Sequence, residues 1–144
     1  MIKLNVGLRF AGNCEEAFNF YKSVFGGEPV MLQRYKEMRD KGYKVARKDE
    51  NKLTFVALPV GKDDMLMADD VVESSGQEFV RGSNFYIQVS ADSKEETDRI
   101  YYALSDSGTI SLPIGVTFWG EYCGFFADKF GVWWSVSYHE PKAT

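Results

Sequence analysis

The side chains that carry most enzymatic chemistry are scarce in this chain of 144 residues. His139 is the only histidine and lies almost at the C-terminus, and Cys14 and Cys123 are the only thiols. These residues are too few for a four-ligand structural zinc site within one chain. A Ser-His-Asp or Cys-His arrangement would have to recruit His139, which reads better as a surface residue near the chain end. Cys14 is expected in the first turn of a helix, where the dipole favours a thiolate. Gly12-Asn13-Cys14-Glu15-Glu16 nevertheless reads better as a capping segment whose cysteine packs under a sheet. Cys123, between Tyr122 and Gly124, reads as a small strand residue. The acidic pairs Asp63-Asp64 and Asp69-Asp70 read as turn chemistry, because no sequence neighbour would raise a carboxyl pKa. Arg9 is suited to an anionic or carbonyl group. Glu121 is expected on a strand crowded with Phe118, Tyr122, Phe125 and Phe126. There it is a candidate base, or a carboxylate reaching to the rim.

The elements that must position these residues follow from periodicity. From Lys3 to Phe10, Leu4, Val6, Leu8 and Phe10 alternate with Asn5, Gly7 and Arg9, which predicts a half-buried strand with a polar second face. Asn13, with Glu16 three residues on, predicts a capped helix to Phe25, stopped by Gly26-Gly27. Glu28 to Tyr35 reads as a second strand. The charge-dense stretch Lys36 to Lys52 reads as a mobile, solvated excursion with a helical turn near Glu37 to Lys41. Leu53 to Val60 and Met65 to Ala68 form a hairpin around Gly61-Lys62-Asp63-Asp64, and Asp69 to Gly82, with Ser74-Ser75-Gly76, is a linker. The pattern then returns. Phe85, Ile87 and Val89 alternate with Asn84, Tyr86 and Gln88, and Asp92 or Ser93 caps a helix carrying Ile100, Tyr101 and Leu104. Thr109 to Val116, Phe118 to Ala127 and Val132 to His139 complete it as strands. Strand, helix and three strands thus occur twice, which marks an internal repeat.

Composition supports one globular chain: 44% of residues are hydrophobic and 15% aromatic, enough to build a core. The formal charge of -4 gives no basic stripe for nucleic acid, and Glu37 and Asp40 interrupt the basic residues between Lys36 and Lys48. The longest uncharged stretch, Ser107 to Gly120, holds 14 residues and is too short to span a membrane. No targeting segment is read at the N-terminus, so cytoplasm is the expected location, with the thiols reduced.

One helix per half covers only one face of each sheet. The polar second row then faces solvent or a cavity, and aromatic residues such as Tyr86 and Trp133 favour a cavity.

Phe10-Ala-Gly-Asn-Cys-Glu-Glu-Ala-Phe-Asn-Phe-Tyr21 with Val24-Phe25-Gly26-Gly27 resembles the opening of the PhnB-like family. That family belongs to the vicinal oxygen chelate superfamily of glyoxalases, bleomycin-resistance proteins and dioxygenases. Phe118-Trp119-Gly120, Gly124 and Asp128-Lys129-Phe130-Gly131-Val132 with Trp134 resemble its C-terminal signature, and Lys52 to Gly61 with Met65 to Asp69 its middle hairpin. The resemblance implies an α+β fold of two βαβββ modules, with curved mixed sheets around a cleft. One domain over 1–144 is expected, with modules at 1–75 and 83–144. Metal-using relatives place ligands at positions that fall on Asn5, Asn84, Ser135 and a site near Met67. Asn and Ser supply neither the charge nor the imidazole that holds a transition metal, so no metal and no cofactor is expected. A label linking some PhnB-like sequences to ubiquinone methylation is set aside. A methyl donor usually needs a doubly wound parallel sheet with a Gly-rich loop, and no such segment occurs.

The expected function is metal-independent binding of a small organic ligand. The expected lining is Asn5, Arg9, Asn84, Tyr86, Gln88, Trp119, Glu121, Trp133 and Ser135. The alternative is a metal-dependent lyase, isomerase or dioxygenase of the glyoxalase type with atypical ligands. Expected partners are the ligand and a second copy of the chain. That dimer would cover the strand Val132 to Tyr138, whose large apolar side chains occupy both faces.

Overall fold

Cys14, Ala17, Phe18, Tyr21 and Val24 recur at helical spacing, and all five are buried along one side of a helix, α1 (Cys14–Phe25). Gly26 ends α1 with φ near 81° and its N–H on the Lys22 carbonyl. The computed structural model describes residues 1–73 and 76–138, so Ser74, Ser75 and His139 lie outside it. The chain divides into two compact units, Met1–Val80 and Arg81–Thr144.

In the first unit, α1 covers one face of a four-stranded mixed sheet built from β1 (Val6–Phe10), β2 (Met31–Arg34), β3 (Leu53–Val60) and β4 (Asp64–Asp70), in the order β1-β4-β3-β2. β1 runs parallel to β4, pairing Leu8 with Ala68 and Phe10 with Asp70. Leu8, Phe10, Val56, Leu58 and Leu66 are buried with the α1 stripe. Phe18 meets the Phe10 ring edge-on at 6.3 Å between centroids.

The first strand is shorter than its pattern. Leu4 is 90% exposed and Asn5 precedes the strand, because β4 supplies ladder partners only from Val6 onward. Tyr35 opens a short helix, α2 (Tyr35–Arg39), rather than closing β2. The stretch from Lys36 to Lys52 is not a solvated excursion throughout. A 3₁₀ turn at Arg47–Asp49 buries Asp49, and Tyr35 and Lys36 donate backbone hydrogen bonds to Lys52 and Glu50.

Asp70 also departs from expectation. It is buried and holds three backbone N–H groups: Gly12 at 3.0 Å and Cys14 at 2.9 Å on Oδ1, and Leu53 at 2.8 Å on Oδ2. The start of α1 is therefore capped from β4, and the Asn13 side chain makes no cap bond.

The second unit repeats the plan. Its mixed sheet has the order β5-β8-β7-β6, from β5 (Ile87–Ala91), β6 (Thr109–Val116), β7 (Tyr122–Ala127) and β8 (Trp133–Tyr138). The helix α3 (Lys94–Ser105) is capped by Ser93, whose Oγ accepts the Glu96 N–H. Ile100, Tyr101, Leu104, Phe126, Trp134 and Val136 are all buried, and the Tyr101 and Phe126 rings meet edge-on at 5.5 Å. Gly124 lets the Tyr101 ring approach the sheet closely, since a Cβ there would stand 2.7 Å from it. Asp128 accepts the Phe130 and Val132 N–H groups and the Trp134 Nε1–H. Phe118 and Trp119 lie in the turn before β7 rather than on it.

Neither sheet closes into a barrel. Among the described residues no helix is long and apolar enough to cross a membrane.

Candidate functional site

Each helix covers one face of its own sheet and leaves the other free of helix. On the second sheet, strand register decides what that helix-free face presents. Ile87 and Val89 pair with Trp134 and Val136 on the α3 side, so Gln88 pairs with Ser135 on the opposite side. Ser135 pairs in turn with Phe125, and Trp133 with Ala127. Gln88, Ser135 and Phe125 therefore form one row across three strands.

Two further rings flank Phe125. Trp133 stacks on Phe125 with centroids 5.2 Å apart and planes 22° apart. Tyr86 meets Phe125 edge-on, also at 5.2 Å. Tyr86 is 54% exposed, while Phe125 and Trp133 are half-buried. Gln88 donates to the Ser137 hydroxyl at 3.4 Å. This is an apolar ring platform edged by an amide and a hydroxyl, suited to a flat organic molecule with one or two polar groups.

Four of the residues expected at the site, Tyr86, Gln88, Trp133 and Ser135, thus share one face. Phe125, the ring that joins them, lies at the centre. Its parity was legible: Cys123 and Ala127 flank it, and Gly124 lies under the helix. Asn84 is exposed and precedes β5 by three residues. Trp119 and Glu121 belong to the turn between β6 and β7, where Trp119 Nε1–H donates to Glu121 Oε2 at 3.0 Å. Glu121 therefore lies just before the strand expected to carry it, with the Trp119 indole as one partner.

The helix-free face of the first sheet carries charge instead. Gly7 pairs with Met67 and Arg9 with Asp69, all on the side away from α1. Arg9 Nε stands 3.3 Å from Asp69 Oδ1, and its Nη1 donates to Gln77 Oε1 at 2.7 Å. Burial pushes the Asp69 carboxyl above its ordinary range, Arg9 offsets part of that, and Asp70 adds to it. Asp69 is therefore more than a turn residue. Its sign in the sequence was its parity with Met67. Asn5 lies just before β1 and is exposed.

Cys14 is fully buried, and burial together with Asp70, Asp69 and Glu15 pushes its thiol well above the ordinary range. Burial, with the acidic neighbours adding to it, outweighs the helix dipole, so Cys14 is not poised as a nucleophile.

Glyoxalase-type metal chemistry would need donors at Asn5, Asn84, Ser135 and the region of Met67. Two exposed amides, a hydroxyl and a thioether do not fit a transition-metal ion. Among the described residues no group of three or more His, Cys, Asp or Glu is placed to hold one.

The model of the Glyoxalase/Bleomycin resistance protein/Dioxygenase superfamily matches residues 3–136. Protein YjdN of Escherichia coli (strain K12) is 26% identical over 140 residues, covering 95% of both chains. The crystal structure of protein PA1353 from Pseudomonas aeruginosa matches with a TM-score of 0.84 and 30% identity, over 98% of this chain and all (100%) of that one. A PhnB protein from Bacillus cereus matches with a TM-score of 0.77 and 26% identity, over 96% of this chain and 100% of that one.

Proposed function

Because the chain belongs to the glyoxalase/bleomycin resistance protein/dioxygenase superfamily, we propose that it is a metal-independent binding protein for a small organic molecule with a flat apolar body. The observation that carries this reading is the Tyr86–Phe125–Trp133 ring cluster on the helix-free face of the second sheet, with Gln88 and Ser135 beside it. Large rings in partial contact with water gain from burial under a ligand, and a stacked aromatic pair adds about 0.5–1.5 kcal/mol beyond area. Metal independence rests on the donor set, which lacks imidazole and carboxylate at the family's ligand positions.

β8 is an inner strand, paired on both sides, so it is not the edge a dimer was expected to cover; the exposed Ile110, Val116, Phe118 and Trp119, on and just beyond the edge strand β6, support pairing with a second copy of the chain there. Two free, buried thiols support a reducing compartment, the cytoplasm.

The test is a fragment screen of mono- and bicyclic aromatics read by protein NMR. Resonances of Tyr86, Gln88, Phe125, Trp133 and Ser135 should move together, and Trp133→Ala should weaken the best fragment about three- to tenfold. Shifts confined to other surfaces would refute the platform. Elemental analysis of the purified protein gives the second arm, and a transition metal carried at about one equivalent would overturn metal independence.

A further inference from the structure

The first unit contains a cavity of about 340 Å³ that is separate in its residues from either helix-free sheet face discussed so far, apart from Gln77, the partner of Arg9. Its apolar wall is Ala11, Val71, Val72 and Phe79, and its polar wall is built around Lys48, Asp49 and Lys52. The size is at the small end of the range for pockets that take small molecules, about 300–1,000 Å³.

The two cations are already matched. Lys48 Nζ stands 2.6 Å from Glu73 Oε2, and Lys52 Nζ 2.8 Å from Asp49 Oδ1. The Lys52 stem is held close over Gly12, where a Cβ would come within 3.1 Å of Cε. Asp49 is different. It is 1% exposed, and among the described residues no group donates a hydrogen bond to its Oδ2. A buried carboxylate oxygen without a donor is an unusual group to leave in the wall of a cavity. With both lysines engaged, the unmet demand is for a donor, and an ammonium meets it with charge assistance. An anion would have to pull a lysine from its carboxylate.

We propose that this cavity binds a small organic ammonium ion, a primary amine with an apolar body. Its nitrogen donates to Asp49 Oδ2, and its body lies against Val72 and Phe79. The Lys52 side chain, one-third exposed, is the part of the wall that yields to admit it.

The probe is 2-phenylethylamine, compared by calorimetry and NMR with the neutral 2-phenylethanol and the anionic 3-phenylpropionate. The amine should bind about tenfold or more tighter than the alcohol, shifting resonances of residues 11, 48–52, 71–73 and 77–79. Asp49→Asn should remove that preference. Equal binding of all three compounds, tighter binding of the anion, no binding of the amine, or shifts elsewhere would each overturn the proposal. Phe79→Ala, at a half-buried ring, keeps the test standing if Asp49→Asn does not fold. It should weaken the amine about threefold or more, and an unchanged affinity would refute the cavity as its site.

Discussion

Replacing Asp70 with alanine tests whether one buried carboxylate organises the first unit. It accepts the N–H groups of Gly12, Cys14 and Leu53 at 3.0, 2.9 and 2.8 Å, joining the start of α1 and the start of β3 to the end of β4. Asp70→Ala leaves three N–H groups without their acceptor, at roughly 1–3 kcal/mol for each one that stays buried. Water entering the space left by the carboxylate recovers part of that, so the expected loss is about 3–5 kcal/mol. Such a loss is a large fraction of the ~5–15 kcal/mol that holds a typical domain together. Urea unfolding followed by circular dichroism measures it, with Asp63→Ala in the exposed β3–β4 turn as a control expected within about 0.5 kcal/mol of wild type. Amide hydrogen exchange at Cys14 and Leu53 localises the effect. A loss below about 1 kcal/mol, with both amides still protected, would refute the reasoning.

Glu15 and Arg34 form a two-pronged ion pair at 3.0 and 2.6 Å, which holds the Glu15 carboxyl below its ordinary value of 4.5. A lowered folded-state pKa stabilises above the unfolded value and is lost as pH falls through the folded one. Glu15→Gln should therefore cost about 0.5 kcal/mol at neutral pH, discounted for exposure, and nothing once both states are protonated; equal costs at pH 7 and pH 3 in urea melts would count against it. The raised Cys14 pKa has the opposite consequence. Stability is full below the ordinary thiol value of 9.0 and falls as pH rises beyond it, because the unfolded thiol ionises first. A thiol-colouring reagent at pH 8 should react with Cys14 only at the unfolding rate, and rapid labelling of the native protein would contradict its burial. Gly124→Ala should destabilise by about 1–3 kcal/mol, since its Cβ meets the Tyr101 ring at 2.7 Å. The cost should shrink in a Tyr101→Ala background, and an equal cost in both backgrounds in a double-mutant cycle would disprove the contact.

The repeated plan was legible from sequence because it rests on local periodicity. Cys14, Ala17, Phe18, Tyr21 and Val24 mark a helical stripe whatever they pack against, and the alternation of Ile87 and Val89 with Tyr86 and Gln88 fixes which side chains share a sheet face. The cap of α3 was readable as Asp92 or Ser93, and the structure selects Ser93, whose partner Glu96 is three residues away. Other features depended on residues far along the chain. Leu4 continues the apolar alternation, yet it is exposed because β4 supplies ladder partners only from Val6 onward. Asn13 has the right chemistry for a cap, but Asp70, more than fifty residues away, holds the Gly12 and Cys14 N–H groups. Phe125 became the centre of the ring platform only when register placed it beside Trp133 and Tyr86. Asp49 looked like one charge among many in a polar stretch until the 3₁₀ turn buried it beside Lys52. Sequence reports what a side chain can donate, accept or bury, while tertiary structure decides which distant partner meets it and whether water can take that partner's place.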